Sequence, residues 1–542
     1  MQPINQRETP MKKPTARLGK IVNTRDSQPR APKIYSYSGN VKMRDCGLWA
    51  QALSLIVCAT MLSLAFLARA AELPKLRIRT TGVNAGHIIE DANGKPFFMI
   101  GICPQNLIQT VRKADMNAYF KARHEQGFNT AWVVISGWNH FGKPPLLPNS
   151  HYDLEDDVRD AAGNAIKLDS KNINFAPPNL NMAYVRSVDQ MVIAAGNNGI
   201  YLFLDPMNEP GMNWPLHTKA DCVAWGRFWG DRYAKYPYVN ILMGTDDVPQ
   251  PYSNWIVSGL RHSLSGRLFC IDQAIYDPKG MHDNIPNPWW QYKDRQATWI
   301  NLWGWYVWEA PNSMAQTGTY QYATWLMYSQ AAHWGVPTAP TFIVESEYTS
   351  YPTDDGEGTA HANSIVMKQG DHVLRRQMWS VPLGGGSGFG IIGNINDAIN
   401  DPIATLNDPT LKYVAYCKSF FTSLPWERLE PDYGHTFLTS QTTGPAMHDP
   451  TYVSAAITRD GTLGVVYYPG LSGSNFKLTL DMSKMGGGHG ASKAYWFDPT
   501  NATRHSVSGA PLANTGSRTF TTPGNNHAGS ADWVLLVDSS TH

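Results

Sequence analysis

A chain of 542 residues exceeds what one ordinary core holds and calls for two or three folding units. Its 45 basic and 44 acidic side chains leave a formal net charge of +1, which gives no electrostatic footprint for nucleic acid or an anionic membrane. Aromatics make up 11% of the residues, a usage that suits a plain core and also suits sugar recognition, where ring C–H faces stack on indole and phenol.

Residues 1–42 are polar, rich in Pro, Lys and Arg, and lack hydrophobic periodicity. They read as disordered sequence or as a start codon assigned too early. Lys42, Met43 and Arg44 then precede an apolar run from Leu48 to Leu67 and the small-residue site Ala68-Arg69-Ala70. A basic segment, an apolar segment and an A-x-A site together describe a secretory signal peptide over residues 43–70, cleaved after Ala70. An uncleaved anchor is the competing reading, because the run is long enough to span a bilayer. Cys58 follows Leu55-Ile56-Val57, which lacks the small residue a lipoprotein signal requires. Either way the remainder is expected outside the cytoplasm, secreted or periplasmic, with no membrane contact after cleavage. Cys103, Cys222, Cys270 and Cys417 survive cleavage at spacings that fit neither a zinc ribbon nor a redox CxxC. An oxidising compartment allows one or two disulfides, buried free thiols are the commoner state for Cys inside a large core, and no pairing is assigned.

From Phe97 onwards short apolar runs alternate with stretches of helical periodicity. The expected strands are Phe97–Gly101, Thr130–Ser136, Ile200–Asp205, Val239–Met243, Leu268–Asp272, Ile300–Trp305, Thr341–Glu345 and Gly388–Ile392. Between them lie expected helices at Ala114–Gln126, Met182–Asn197, Lys219–Lys235, Pro251–Leu264, Tyr320–Trp334 and Gly358–Val381, with Thr410–Leu424 after the last strand. The crossover around Trp289–Thr298 is the least helix-like. Eight strands in strict alternation with helices is the pattern of an α/β (β/α)₈ TIM barrel, assigned to residues 71–430. A doubly wound sheet would show a glycine-rich phosphate turn after its first strand, where this chain has Gly101-Ile102-Cys103-Pro104. The polar excursion Gly137–Asn181 is expected to build pocket rather than core. After Pro425-Trp426 the helical period is lost, and short strands alternate with Gly, Ser, Asn and Pro turns at Val453–Thr458, Leu463–Tyr468, Phe476–Leu480, Ala494–Phe497 and Trp533–Val537. Residues 431–542 therefore read as a small antiparallel β-sandwich.

Glycosidic bonds are cleaved by two carboxyl groups, one protonating the leaving oxygen and one attacking or activating water. In a barrel these sit at the C-terminal ends of different strands. Strand ends here offer Asp205 and Glu209, Asp246 and Asp247, Asp272, Glu309, and Glu345 with Glu347. No GxSxG elbow, HExxH motif or P-loop competes, and the pattern requires no metal and no cofactor. Asp246 closes an apolar run through a small-residue turn, and Glu345 comes straight off another, three strands later in the expected order. Asp247, just before Val248-Pro249, suits a helix cap or a substrate contact. Glu347 shares a facing with Glu345 and stays open as an alternative nucleophile. Asn208-Glu209-Pro210 mimics the acid motif of other barrel glycosidases but follows the third strand, which leaves Glu209 as the alternative acid. Trp303, Trp305 and Trp308 are either core or a sugar platform, and Tyr348 is a further candidate contact.

Several segments carry a specific resemblance: GKPFFMIG at Gly94–Gly101, YFKARHEQGFNTAWVV at Tyr119–Val134, and PNLNMAYVRSVDQMVIAAGNNGIYLFLDP at Pro178–Pro206. WGRFWGDRYAKYPYVNILMGTDDVP, PTFIVESEY and LRRQMWSVPLGGGSGFGIIG continue it, and PWERLEPD, YWFDPTNATRH and DWVLLVD extend it into the sandwich. From about Asn93 to Asp538 the chain resembles the apiosidase-like glycoside hydrolases (family 140) with their appended domain, a type named for collagen binding. The resemblance implies Asp246 as acid/base and Glu345 as nucleophile. Three segments depart from it. Gly101-Ile102-Cys103-Pro104-Gln105 stands where the family has Gly-Asp-Thr-Ala-Trp, Thr245 replaces a glycine before the acid, and Trp303–Glu309 replaces Gln-Ser-Gly-His. The sugar subsite is thus expected to differ from the family's.

These observations point to a secreted glycosidase acting, as a monomer, on a carbohydrate substrate by a two-carboxylate, retaining mechanism. The alternative of a different class is a barrel without activity that binds carbohydrate or matrix protein together with its sandwich. Carboxylates at both diagnostic strand ends favour the enzyme.

Overall fold

The computed structural model describes residues 73–135, 182–207, 218–244, 251–274, 298–306, 339–345, 371–391, 402–441, 451–470, 473–487 and 490–540, with only the backbone at some of these positions. The leader, the excursion Gly137–Asn181, the crossover before residue 298 and the expected helix Tyr320–Trp334 lie outside the described residues.

A short hairpin, β1 (Leu76–Ile78) with β2 (Ile89–Asp91), comes first. Eight strands follow: β3 (Met99–Ile102), β4 (Thr130–Val134), β5 (Tyr201–Asp205), β6 (Val239–Met243), β7 (Phe269–Ala274), β8 (Leu302–Tyr306), β9 (Thr341–Glu345) and β10 (Gly388–Ile391). Each pairs in parallel with the next, and β10 closes on β3, so the sheet is a complete barrel as the alternation predicts. Every bound of the observed strands falls within two residues of the expected one. Helices α1 (Lys113–Glu125), α2 (Met182–Asn197), α3 (Lys219–Tyr233), α4 (Pro251–Leu264) and α5 (Asp371–Leu383) occupy crossovers, and α6 (Lys412–Thr422) follows β10.

Which residues face the barrel interior follows from one contact. The rings of Phe203 and Phe342 lie 6.1 Å apart, although β5 and β9 are four strands apart whichever way round the barrel one counts. Rings on opposite walls meet only through the lumen. Register then carries the parity around: Trp132 and Asn240 pair with Phe203, and Gly304 pairs with Phe342. On the neighbouring walls Gly101 pairs with Thr130, and Gly390 with Gly101. The rings of Trp132, Phe203 and Phe342 thus share the lumen parity with Gly101, Gly304 and Gly390, large residues beside small ones as barrel filling requires. Asparagines knit the strand starts together. Asn129 accepts from Ile100 N–H at 2.7 Å and donates to Phe98 O at 2.7 Å, while Asn301 accepts from Phe269 N–H at 2.7 Å and donates to Arg267 O at 2.9 Å. Below the barrel the Tyr201 hydroxyl donates to Pro74 O at 2.7 Å, tying down the chain that leads into the hairpin.

After β11 (Leu429–Pro431) come β12 (Ser454–Thr458), β13 (Leu463–Tyr468), β14 (Lys477–Asp481), β15 (Ala491–Phe497), β16 (Arg504–Ser506), β17 (Leu512–Ala513), β18 (Ser517–Thr521) and β19 (Trp533–Asp538). The main antiparallel sheet runs β11-β12-β13-β19-β15-β16, with β17 on β15, and β14 pairs with β18 separately. Alternation divides the strands cleanly. Val465, Tyr467, Val534 and Leu536 join the core of the barrel, while Val466, Tyr468, Leu535 and Val537 form a second core with Leu478, Leu480 and Phe520 of the small sheet. Trp379 of α5 is the hinge of this arrangement, with its ring 5.0 Å from Phe420, 5.6 Å from Phe497 and 6.3 Å from Tyr467.

Candidate active site

Strand direction sets the location. β6 and β9 are the fourth and seventh barrel strands, and both run to the same rim. Glu345 is the last residue of β9, and its backbone is opposite Tyr306 of β8. β6 ends at Met243, and Gly244 follows with φ +77°, a left-handed conformation that glycine adopts without strain. A side chain there would also meet Met207 Cε at 3.0 Å. Gly244 therefore turns the chain off the strand directly before Thr245-Asp246-Asp247.

The third strand end is held by Asp205, which is fully buried on the lumen parity. Its Oδ1 accepts the Met207 N–H at 2.8 Å, and its backbone oxygen accepts the Ile135 N–H at 2.8 Å. Trp225 of α3 donates its indole N–H to Pro206 O at 2.8 Å. Together these bonds fix the chain where it leaves the third strand, through Met207. Asp205 acts here as a local acceptor for backbone, the habitual use of a short carboxylate at a turn.

Asp246, Asp247, Glu209, Glu347, Tyr348, Trp308 and Glu309 lie outside the described residues. For Trp305 and Asp272 the backbone is described, in β8 and β7. Trp303 is the second residue of β8, half-buried against the hydrophobic core and on the parity of Thr341, the helix-facing side. That places it with the packing of the wall, away from the strand's C-terminal end. The lumen contains one further polar group of note. Trp132 is 3% exposed, and its indole N–H is buried with no hydrogen-bond partner. Cys103, Cys222, Cys270 and Cys417 are all buried thiols. Burial pushes the Cys417 thiol well above its usual range and that of Cys222 up to about 11, so neither is a nucleophile.

A closed parallel barrel with acidic residues beyond its fourth strand and at the end of its seventh is the architecture of a barrel glycosidase. Residues 84–428 match the family described as "Apiosidase-like, catalytic domain", and the chain belongs to that family of glycosidases. Residues 443–538 match the family described as "Putative collagen-binding domain of a collagenase". No curated protein matches the chain. Among solved structures, a glycoside hydrolase family 5 protein from Bacteroides vulgatus superposes with a TM-score of 0.63 at 18% identity, covering 86% of this chain and 93% of that one. A structure titled "Glycoside hydrolase" gives 0.62 at 18% identity, covering 86% and 98%. At such identities the likeness is one of fold, and it extends over both the barrel and the C-terminal sheets.

Proposed function

We propose that the chain is a secreted glycosidase that cleaves an oligosaccharide or polysaccharide with retention of anomeric configuration. Glu345 attacks the anomeric carbon as a carboxylate and forms a covalent glycosyl-enzyme. Asp246 first protonates the leaving oxygen and then, as a base, takes the proton of the water that releases the sugar. The observation that carries this reading is the placement of Glu345 as the last residue of the seventh strand, with the fourth strand ending three residues before Asp246. The two carboxyl groups are expected to lie about 5–5.5 Å apart, too close for an intervening water. Glu209 and Glu347 are the alternatives for acid and nucleophile. Export through the signal at residues 43–70 puts the enzyme in the medium or periplasm, with Ala71 as its first residue. Barrel and sandwich act as one monomeric body on carbohydrate, without nucleic acid or membrane.

Mass-spectrometric screening of the mature protein against defined oligosaccharides identifies the substrate, and proton NMR of the first-formed product reads its anomer. Retention is the expected result. An inverted product rejects Glu345 as a nucleophile.

A further inference from the structure

The register between β8 and β9 contains an irregularity at its last step. Gly304 pairs with Phe342 and Trp305 with Ile343, but Tyr306 pairs with Glu345, so Val344 has no opposite residue. This is a β-bulge, one extra residue in β9. Without it, alternation from Phe342 would put Val344 on the lumen parity and Glu345 on the helix side. With it, Glu345 takes the register position of Tyr306, on the same parity as Gly304 and Phe342.

An extra residue leaves a carbonyl that the ladder does not take, and the surroundings show where that of Val344 goes. The Cys103 thiol, just past β3 and 2% exposed, donates to Val344 O at 2.8 Å. β10 lies between β3 and β9, so the bond passes over it. It passes at Gly390, where a Cβ would lie 2.2 Å from Val344 O and 2.9 Å from Ile343 O. On the other flank a Cβ at Gly304 would lie 3.3 Å from Val344 Cβ. Two glycines thus make room for the bulge, and one thiol holds its carbonyl.

We propose that Cys103 is a positioning residue: by bonding the Val344 carbonyl across Gly390 it holds the bulge that sets Glu345 at the lumen position of the seventh strand. The proposal rests on the reading of Glu345 as nucleophile. Displacing a reacting group by about 1 Å costs up to about a hundredfold in rate.

The test compares Cys103→Ala, Cys103→Ser and, as a control for loss of a buried thiol elsewhere, Cys417→Ala, using a panel of 4-nitrophenyl glycosides and the member that the wild type cleaves. Cys103→Ala should lower kcat at least about tenfold with KM changed less than about threefold. Cys103→Ser, which keeps a donor, should recover kcat to within about threefold of wild type, and Cys417→Ala should leave it unchanged. A wild-type kcat in Cys103→Ala, or equal losses in the Ser and Ala variants, overturns the proposal. A crystal structure of Cys103→Ala judges the bulge separately from the nucleophile. Val344 should return to the ladder opposite Tyr306, and an unchanged register overturns the proposal even if Glu345→Gln is inactive. Full turnover in Glu345→Gln rejects the nucleophile reading instead. Should Cys103→Ala not fold, the infrared difference between wild type and Cys103→Ser isolates the Cys103 S–H stretch. It is expected at lower frequency than that of Cys417, whose acceptor is 3.5 Å away, and an equal frequency overturns the proposal.

Discussion

Trp132 and Trp225 are both almost fully buried, yet only Trp225 has its indole N–H bonded, to Pro206 O. Replacing either by Phe removes the same atoms and leaves similar space. Trp225→Phe also leaves a buried carbonyl short of a partner, whereas Trp132→Phe removes a donor that already lacked one. Trp225→Phe should therefore be the more destabilising, by about 1–3 kcal/mol, as read from guanidinium midpoints at equal m-values. Equal losses contradict the assignment of the two indoles. At this scale the sequence was informative where one residue's own neighbours define it. Glu345 ends an apolar β-branched run, and Gly244 stands between such a run and a pair of carboxylates, so both announce a strand end. Cys103 announces nothing, because its acceptor is 241 residues away and the bulge it holds is a relation between two strands. Trp303 is ambiguous in sequence for a related reason: alternation alone leaves its side of the wall open, and the Phe203–Phe342 contact across the lumen fixes it.

Helices α3 and α4 flank β6, the strand that leads to Asp246, and they approach so closely that backbone meets backbone. A Cβ at Gly226 would lie 2.0 Å from Ile256 O, one at Gly230 2.8 Å from Leu260 O, and one at Gly259 2.2 Å from Val223 O. Gly226→Ala should therefore destabilise by about 1–3 kcal/mol, despite the better helix propensity of alanine, because the helices must separate. A gain in midpoint contradicts this packing. The start of α3 shows a second local device, a capping box in which Thr218 accepts from Asp221 N–H and the Asp221 carboxylate accepts from Thr218 N–H. Thr218→Ala should cost about 1 kcal/mol in the same assay. Elements were the most legible scale. β6, β9, α2 and α4 match their expected bounds because periodicity persists through them. The hairpin β1–β2 and the strands β11, β16 and β17, of two or three residues each, are too short for any period to register and are stabilised by partners distant in sequence.

The barrel and the C-terminal sheets are joined by a buried charge pair. Arg375 on α5 and Asp532 beside β19 are both fully buried, with Nε to Oδ2 at 2.9 Å and Nη2 to Oδ1 at 3.0 Å. Burial disfavours the Asp532 carboxylate, but the Arg375 guanidinium, His372 and the Asn526 amide outweigh it and hold its pKa below the ordinary value. Asp532→Asn leaves a guanidinium buried without its counter-charge and should cost about 3–5 kcal/mol. Because one hydrophobic core crosses the junction, calorimetry should show a single transition for both parts, and two separated transitions contradict this. His372 lies at the same junction, its Nε2 2.8 Å from Pro469 O and 3.8 Å from Asp532 Oδ1. Burial, aided by the positive charges of Arg375 and Arg376 and opposed by Asp532, lowers its pKa to about 4. The folded state therefore keeps His372 neutral while the unfolded chain protonates it below about 6.5, so stability is lost as pH falls from about 6.5 to 4. In that window the wild type should lose stability more steeply than His372→Gln, by up to about 1.4 kcal/mol per pH unit, and parallel curves contradict the assignment. The sequence foretold a barrel followed by a sandwich, since each has its own period, but not this junction, which pairs residues 157 apart. The barrel's chief consequence is chemical, in that it brings the ends of its fourth and seventh strands to one rim. The direct measurement is the effect of added azide on Asp246→Ala with an activated aryl glycoside. Azide should raise turnover at least about tenfold and yield a glycosyl azide of retained configuration, since a small anion attacks the Glu345-linked sugar without a base. No azide effect, with wild-type hydrolysis of the natural linkage by Asp246→Ala and none by Glu209→Ala, would contradict the account and move the acid to Glu209.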